Sequence, residues 1–215
     1  MSMSVDRDFS VISPAVQWPI AQVEQVHLGV MASGNGSNLE AIVSAIACKQ
    51  LKAKIEVLIY NQPEARVAQR AERWGIPTVL LDHRAFPSRE MLDAAIIQTL
   101  LQSDVEWVIM AGWMRRVTEV LIDAFPQRIL NIHPSLLPSF SGIRAVEQAL
   151  QAGVKISGCT VHLVELAVDS GPIIMQAAVP VLPEDTAVTL QARIQQQEHQ
   201  IYPQAIALAA QQIYS

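Results

Sequence analysis

From residue 26 onward, short apolar runs alternate with segments of helical periodicity, and this alternation constrains the fold more than any other feature. The runs are nearly continuous in apolar character, which is typical of strands buried on both faces. They cover residues 26–32, 54–60, 77–81, 105–113 and 128–132. The segments between them repeat apolar residues at the spacing of a helix that packs on one face. Strand–helix–strand alternation requires right-handed crossovers, so the sequence predicts an α/β protein with a parallel sheet and helices on both faces.

The pattern changes after residue 133. Two longer apolar segments, 156–165 and 172–181, are joined by the short turn LAVDSG. We expect them to form an antiparallel pair that extends the mostly parallel sheet in its C-terminal part. A long helical segment follows, capped by Asp185 or Thr186, and Pro203 is expected to kink or break it.

Composition limits the classes of function. The chain has 215 residues, of which 51% are hydrophobic, and a net charge of −5. This acidic balance predicts no broad electrostatic surface for nucleic acid or for an anionic membrane. Two cysteines do not suggest a disulfide scaffold, and no apolar stretch approaches the roughly 20 residues of a membrane span, so we expect a cytoplasmic protein. Residues 1–25 are predicted to be a poorly ordered extension, and residues 26–215 a single domain.

The loop SGNGSN, residues 33–38, joins the first of these strands to a helix. Its glycines let the backbone approach a ligand closely, and the free amides of the following helix start can face a phosphate. The alternative is a tight turn capped by Ser37 or Asn38. The loop lacks the third glycine of a dinucleotide fingerprint and the Gly-Lys-Ser/Thr of a Walker loop.

Asn131 and His133 lie two positions apart in NIHPS, at the carboxyl end of a predicted strand. Residues i and i+2 of a strand project to the same side, and ligands of parallel sheets bind at the carboxyl ends of strands. A histidine beside an amide donor suits oxyanion stabilisation and proton transfer. The alternative is a histidine that caps the strand and bonds to backbone.

A third candidate, Asp169, lies in the turn between the last two strands. A turn aspartate commonly bonds its own backbone, and local pattern alone does not bring Asp169 to His133. A metal site is not expected, because the histidines show no ligand spacing, and His162 is predicted to be structural. No Gly-x-Ser-x-Gly elbow supports a serine nucleophile.

Four motifs, in this order, resemble one family. They are SGNGSNL, AGWMRR, NIHPSLLPSF and VDSGPII. Together they resemble the glycinamide ribonucleotide formyltransferases, a folate-dependent formyltransferase family, over about residues 26–210. The resemblance implies a Rossmann-like, mostly parallel sheet with an antiparallel end. It also implies formyl transfer from 10-formyltetrahydrofolate to the glycyl amine of 5-phosphoribosylglycinamide in de novo purine biosynthesis.

The resemblance also implies roles for individual residues. The catalytic residues would be Asn131, His133 and Asp169. The acceptor would be bound by Gly36, Ser37, Asn38, Gln195 and Glu198. The folate would be bound by Arg89, Met114, Arg115, Arg116, Val117 and Asn131. No metal and no bound cofactor are implied, because 10-formyltetrahydrofolate is a cosubstrate.

Other functions remain open at this stage. Methionyl-tRNA formyltransferase shares the HPSLLP neighbourhood, but it usually has a further C-terminal domain for tRNA. Formyltetrahydrofolate deformylase has an N-terminal regulatory domain that 25 residues cannot form. A non-catalytic phosphate-binding module would explain SGNGSN but not Asn131, His133 and Asp169. The expected partners are small-molecule substrates, with no nucleic acid and no membrane, and the expected state is a monomer or a homodimer. The loop SFSG lacks the basic residue that many relatives carry there.

Overall fold

The computed structural model describes residues 11–20 and 24–213. These residues form eight strands: β1 (Val11–Ser13), β2 (Val26–Ala32), β3 (Ala53–Tyr60), β4 (Thr78–Leu80), β5 (Trp107–Met110), β6 (Ile129–His133), β7 (Ile156–Leu163) and β8 (Ile173–Pro180). They also form six α-helices: α1 (Ser37–Ala47), α2 (Arg66–Arg73), α3 (Arg89–Gln102), α4 (Glu119–Ala124), α5 (Ala145–Ala152) and α6 (Ala187–Ile213). Every strand and helix segment predicted from residue 26 onward is present, with shorter bounds in several cases.

The strands form a single mixed sheet in the order β1-β8-β7-β6-β5-β2-β3-β4. The contacts among β2, β3, β4, β5 and β6 are parallel, as crossover helices require. The contacts β6–β7, β7–β8 and β8–β1 are antiparallel. The predicted α/β class, with a mostly parallel sheet extended by antiparallel strands in its C-terminal part, is therefore confirmed.

Helices cover both faces of the sheet, and each face has its own hydrophobic core. One core contains Leu39 and Ile42 of α1 together with Ile194 and Ile206 of α6. The other contains Leu92, Ile96 and Leu100 of α3 and Leu121 of α4. Successive residues of β5 alternate between the two cores, because side chains of a strand point to opposite faces. A strand buried on both faces explains why its sequence is a continuous apolar run.

Helix α6 is continuous through Pro203, so the helix is not broken there. Proline removes one helical hydrogen bond, but the residues around it are buried against the sheet. Tyr202 anchors this part of the helix, because its hydroxyl oxygen lies 3.1 Å from the carbonyl oxygens of Met110 and Leu130. Packing on the sheet offsets the loss of one backbone hydrogen bond. In the part of the chain that the structure describes, no helix is long and apolar enough to cross a membrane.

The structure departs from the prediction of a poorly ordered extension at β1. Val11–Ser13 pairs with β8 in antiparallel register, opposite Gln176–Ala178. Ile12, Val16, Trp18 and Ile20 pack against the core that contains α1 and α6. The apolar residues of this segment are irregularly spaced, so the sequence gave no periodic signal for it. In the structure the segment covers the β8 edge of the sheet and part of the adjoining core. Residues 1–10 and 21–23 lie outside the described residues, and the domain boundary at residue 26 stays a proposal.

Asp185 and Arg193 fix the start of α6. The two nitrogens of the Arg193 guanidinium lie 2.6 and 2.9 Å from the two carboxylate oxygens of Asp185. The amide of Leu182 and the hydroxyl of Thr189 donate to the same carboxylate. The hydrogen bonds from Arg193 are the main reason that the pKa of Asp185 is lowered from 3.8 to about 2. The ionised carboxylate of Asp185 therefore stabilises the start of α6.

Replacement of Trp18 by alanine should lower the free energy of unfolding by about 1–3 kcal/mol, because it removes a partly buried aromatic contact with the core. Thermal denaturation of the variant measures this loss. Gln17→Ala is the matched control, since the neighbouring Gln17 is exposed. Equal stability of the two variants would show that the 11–20 segment contributes nothing to the domain.

Replacement of Asp185 by asparagine should destabilise the protein at neutral pH by about 1–2 kcal/mol, in proportion to the lowered pKa. The folded-state pKa lies below the unfolded value of 3.8, so this stabilisation is present above pH 4 and is lost as pH falls toward 2. Urea denaturation between pH 2 and 7 measures it. The difference between wild type and variant should shrink at acid pH, and Glu184→Gln, at an exposed neighbour, should show no such difference. A difference in free energy of unfolding between wild type and Asp185→Asn that stays constant with pH would contradict the stabilising role of the ionised carboxylate.

Candidate active site

The predicted catalytic residues meet at the carboxyl end of β6. Leu130 and Ile132 of this strand enter the core beneath α6, so Asn131 and His133 point to the opposite side, as the period-two prediction required. The antiparallel neighbour β7 places His162 directly opposite Asn131. The turn between β7 and β8 then brings Asp169 beside both histidines. The side chains of His133, His162 and Asp169 are only 7%, 3% and 9% exposed, so their charges act in a poorly solvated environment.

The geometry of His133 defines where its protons lie. Its Nε2 is 2.9 Å from the carbonyl oxygen of Phe140. A carbonyl oxygen only accepts, so Nε2 carries a proton and donates. Its Nδ1 is 3.4 Å from Oδ2 of Asp169. The two ring nitrogens of His133 therefore face two acceptors, the Phe140 carbonyl and the Asp169 carboxylate.

Asp169 adopts a positive φ of 53° in the turn and directs its carboxylate into the site. The amide of Gly142 donates to Oδ2 at 2.7 Å, and Nε2 of His162 lies 3.6 Å from Oδ1. Burial acts to raise the pKa of Asp169, but the hydrogen bonds from His162 and Gly142 and the charges of the two histidines outweigh it and lower the pKa. Asp169 is therefore an ionised carboxylate at neutral pH. Its contacts extend beyond its own backbone, which was the alternative that the sequence left open.

His162 belongs to this cluster, which sequence reasoning missed. Its Nδ1 lies 2.8 Å from the carbonyl oxygen of Leu163 and therefore donates. Its Nε2 lies 3.2 Å from Nδ2 of Asn131 and 3.6 Å from Oδ1 of Asp169, so the ring contacts both side chains. The signal that could have found it is the pairing of β6 with β7. The register of that pairing is a long-range property that no local pattern carries.

The loop at 33–38 leads into α1 with Gly36 at φ +80°, a conformation that favours glycine. No side chain caps the first amides of α1. The predicted acceptor residues are brought together here, although α6 is far away in sequence. The amide of Gln195 donates to Oγ of Ser37 at 2.8 Å, and the amide of Asn38 donates to Oε2 of Glu198 at 3.0 Å. Burial, partly offset by the Asn38 hydrogen bond, raises the pKa of Glu198.

Three of the predicted folate residues line one cavity of about 360 Å³. Arg89 and Arg116 contribute guanidinium groups, while Val117, Leu166 and Val168 contribute apolar surface. Leu166 and Val168 come from the same turn as Asp169, so this cavity borders the cluster of His133, His162 and Asp169. Glu90 and Glu119 also line the cavity, so the two guanidinium groups share its rim with two carboxylates. Guanidinium groups beside an apolar wall fit an elongated ligand with an aromatic part and carboxylates.

Met114 and Arg115 do not line this cavity. Both are exposed, and the amide of Met114 donates to Oγ of Ser33 at 2.9 Å. This contact joins the segment after β5 to the start of the 33–38 loop. Buried Asp93 of α3 holds the other end of the segment, because Oδ2 accepts from the amide of Thr118 at 2.6 Å and from its hydroxyl at 2.8 Å. Within residues 11–20 and 24–213, no group of three or more His, Cys, Asp or Glu is arranged to hold a metal ion.

A sheet of this topology, with a polar cluster at the end of its central strand, matches a known family. The family model described as formyl transferase matches residues 26–206. The chain belongs to the formyl transferase family. A phosphoribosylglycinamide formyltransferase of Bacillus subtilis is 43% identical over 177 residues, which cover 82% of this chain and 91% of that protein. The predicted resemblance is therefore confirmed.

Two further comparisons extend this result. The human trifunctional purine biosynthetic protein adenosine-3 is 41% identical over 187 residues, which cover 87% of this chain but only 18% of that protein. The crystal structure of glycinamide ribonucleotide transformylase 1 from Symbiobacterium toebii is 46% identical and superposes with a TM-score of 0.87, covering 89% of this chain and 90% of that one. The fold of the described domain is thus the fold of these enzymes.

Replacement of Gly36 by alanine should lower the free energy of unfolding by about 1–3 kcal/mol, because the residue has positive φ. In addition, its Cβ would come within 2.6 Å of Cγ2 of Val67. Gly34→Ala is the matched control, since a Cβ there meets no atom within 4 Å. Thermal denaturation of both variants measures the difference. A Gly36→Ala variant as stable as Gly34→Ala would contradict the left-handed geometry of this loop.

Proposed function

We propose that this protein transfers the formyl group of 10-formyltetrahydrofolate to the glycyl amine of 5-phosphoribosylglycinamide. The product is 5-phosphoribosyl-N-formylglycinamide, an intermediate of de novo purine biosynthesis. The observation that carries the proposal is the meeting of Asn131, His133 and Asp169 at the end of β6, between the 33–38 loop and the cavity of Arg89 and Arg116. Relatives that are about 40% identical and bear the corresponding names support it.

The reaction requires one bond to form and one to break. The glycyl nitrogen attacks the formyl carbon, and negative charge develops on the formyl oxygen. Asn131 donates to this oxyanion through its side-chain amide, and protonated His133 donates as well. When the bond between the formyl carbon and N10 of tetrahydrofolate breaks, N10 takes up a proton and the glycyl nitrogen gives one up. Net charge and the number of protons balance without a metal ion or a bound cofactor.

His133 needs one rearrangement to act in this way. Its Nε2 proton is directed to the carbonyl of Phe140, and its Nδ1 faces Asp169. The formyl oxygen would take the place of the Phe140 carbonyl as the acceptor. Phe140 and Arg144 have positive φ angles of 56° and 60°, which cost free energy for residues other than glycine. Relief of this strain would offset part of the cost of moving the 134–144 loop.

Asp169 stabilises the positive charge of His133 rather than accepting the reacting proton permanently. Its lowered pKa keeps it ionised, so it presents an anion 3.4 Å from Nδ1 of His133. His162 supports the same site from the other side, because its Nε2 contacts the amide of Asn131. In the substrate complex, after the rearrangement of His133, both donors would face the formyl oxygen.

The substrates are assigned to opposite sides of the cluster. The phosphate of the acceptor would face the uncapped amides of α1, and Gln195 and Glu198 would contact its ribose. The carboxylates of folate would face Arg89 and Arg116, and its aromatic part would lie on Val117, Leu166 and Val168. Met114 and Arg115 would border the folate from the exposed segment after β5. We assign residues 26–215 to one formyltransferase domain that acts in the cytoplasm as a monomer or a homodimer, without nucleic acid or membrane partners.

Formyl transfer can be tested directly. Purified protein is incubated with 10-formyltetrahydrofolate and 5-phosphoribosylglycinamide, with initiator methionyl-tRNA as a competing acceptor. Formylated product is separated and quantified for each acceptor. Preference for the ribonucleotide is expected, and preference for the tRNA would overturn the proposal. Hydrolysis of 10-formyltetrahydrofolate without either acceptor would instead indicate a deformylase.

Alanine variants of Asn131, His133 and Asp169 should each reduce kcat strongly while acceptor binding stays near normal. Loss of an oxyanion donor costs on the order of 10²–10³ in kcat, and loss of a proton-transfer group roughly 10²–10⁴. Steady-state kinetics and circular dichroism separate catalysis from folding. His27→Ala is the matched control, because His27 lies at the opposite end of the sheet and pairs with Glu56.

The His133→Ala, Asp169→Ala double variant tests whether the two residues act as a unit. Groups that act together are not additive, so the double variant should be little slower than the slower single variant. Loss equal to the product of the two single losses would show that Asp169 acts independently of His133. Nearly full kcat in His133→Ala would show that the histidine is structural.

A further inference from the structure

A groove of about 550 Å³ runs along the seam between α1 and α6 and begins at the proposed phosphate site. Ser37, the first residue of α1, lines it, and so does Trp18 of the N-terminal segment. Two residues outside the assigned site also line it near Ser37. They are Arg70 of α2 and His199 of α6. We refer to this cavity as the α1–α6 groove.

Arg70 contacts the 33–38 loop directly. Its Nη2 donates to Oδ1 of Asn35 at 3.3 Å, and its Nη1 donates to Oε1 of Glu40 at 3.1 Å. Glu40 also accepts from Nη2 of Arg73 at 2.8 Å and from the indole of Trp74 at 3.2 Å. Arg70 is the member of this cluster that reaches the 33–38 loop and lines the groove. Among the residues that line the groove, Arg70 is the one permanent cation.

His199 faces Arg70 across the same end of the groove. Its Nε2 is buried and has no hydrogen-bond partner in the described part of the chain. Burial, followed by the positive charge of Arg70, lowers the pKa of His199 below its usual 6.5. The neighbouring residue Glu198 bonds to Asn38, whose Oδ1 is also buried without a partner. Unsatisfied buried polar atoms are costly, and a ligand at this point would relieve the cost.

We propose that Arg70 and His199 are further recognition residues for the phosphate of the acceptor, which they approach from the α1–α6 groove behind Ser37. The inference rests on the proposed function, and it adds two side chains to a site otherwise built from backbone amides. Helix amides supply fixed partial charge, while a guanidinium supplies a full charge that discriminates a dianion from a neutral group. Arg70 also holds Asn35, so it positions the loop and adds charge to it. Nε2 of His199 has no hydrogen-bond partner in the described part of the free protein, and it would donate one to the phosphate.

A purely structural role for Arg70 is the competing explanation. Arg70 and Arg73 both tie α2 to α1 through Glu40, and the loss of either would loosen this pair of helices. Arg73 does not line the groove, whereas Arg70 lines it and reaches Asn35. Arg73→Met is therefore a matched control for Arg70→Met. Arg70→Lys is a second comparison, because it keeps the charge but not the two-nitrogen contact.

The test compares two acceptors that differ only in the phosphate group. Initial rates of formyl transfer are measured with 5-phosphoribosylglycinamide and with ribosylglycinamide for wild type, Arg70→Met, Arg70→Lys, His199→Ala and Arg73→Met. Arg70→Met should raise KM for the phosphorylated acceptor by roughly 10- to 100-fold, as expected for a lost charge-assisted contact, and leave kcat nearly unchanged. His199→Ala should raise KM for the phosphorylated acceptor by a smaller factor. Arg70→Lys should raise this KM less than Arg70→Met does. Neither Arg70→Met nor His199→Ala should alter KM for ribosylglycinamide, and Arg73→Met should leave KM for both acceptors unchanged.

Equal loss with both acceptors, or equal loss in Arg70→Met and Arg73→Met, would overturn the inference and leave Arg70 with a structural role. Thermal denaturation of each variant verifies folding. Binding of inorganic phosphate, measured by calorimetry, gives a readout that does not need formyl transfer. Weaker phosphate binding in Arg70→Met than in Arg73→Met supports the inference independently of which acceptor the enzyme uses. Absence of formyl transfer in wild type, with phosphate binding that depends on Arg70, would overturn the proposed function alone.

Discussion

The site depends on the position of β6 in the sheet. This strand is parallel to β5 on one side and antiparallel to β7 on the other. The parallel side places the carboxyl end of β6 at the edge where crossover loops meet, which includes the 33–38 loop. On the antiparallel side, β7 runs from the carboxyl end of β6 toward its amino end, and the turn that follows Leu163 carries Asp169 back to His133. A fully parallel sheet would have put a crossover helix where this turn lies.

Helix α6 connects this edge to the rest of the fold. Tyr202 fixes it over β5 and β6, while Glu198 and Gln195, about one and two turns earlier, contact the first residues of α1. The same helix therefore supports the core and supplies polar side chains to the loop. Burial raises the pKa of Glu198, and burial with the charge of Arg70 lowers the pKa of His199. Both shifts favour the neutral forms of these two side chains.

Local pattern predicted the strands, the glycine loop and the common face of Asn131 and His133. These features depend on residues that are near one another in sequence, such as the two-residue period of a strand. The same reasoning assigned His162 a structural role, because a histidine in an apolar strand gives no local sign of its partners. Only the register of β6 with β7 places it 3.2 Å from Asn131. The N-terminal segment was missed for a related reason, since three-residue β1 has no periodicity of its own and forms only against β8.

The sequence by itself determined the α/β class, the loop that opens α1 and the family to which the chain belongs, because periodicity, turn chemistry and motif order are written along the chain. Tertiary structure decided which side chains meet. Asn38 and Glu198 are 160 positions apart, and Arg70 and Asn35 belong to different crossover units. Such contacts arise when apolar faces are buried in one register out of several, and the free energy that selects this register is spread over the whole core. For that reason Asp169, His162 and Arg70 acquire their surroundings only in the folded protein.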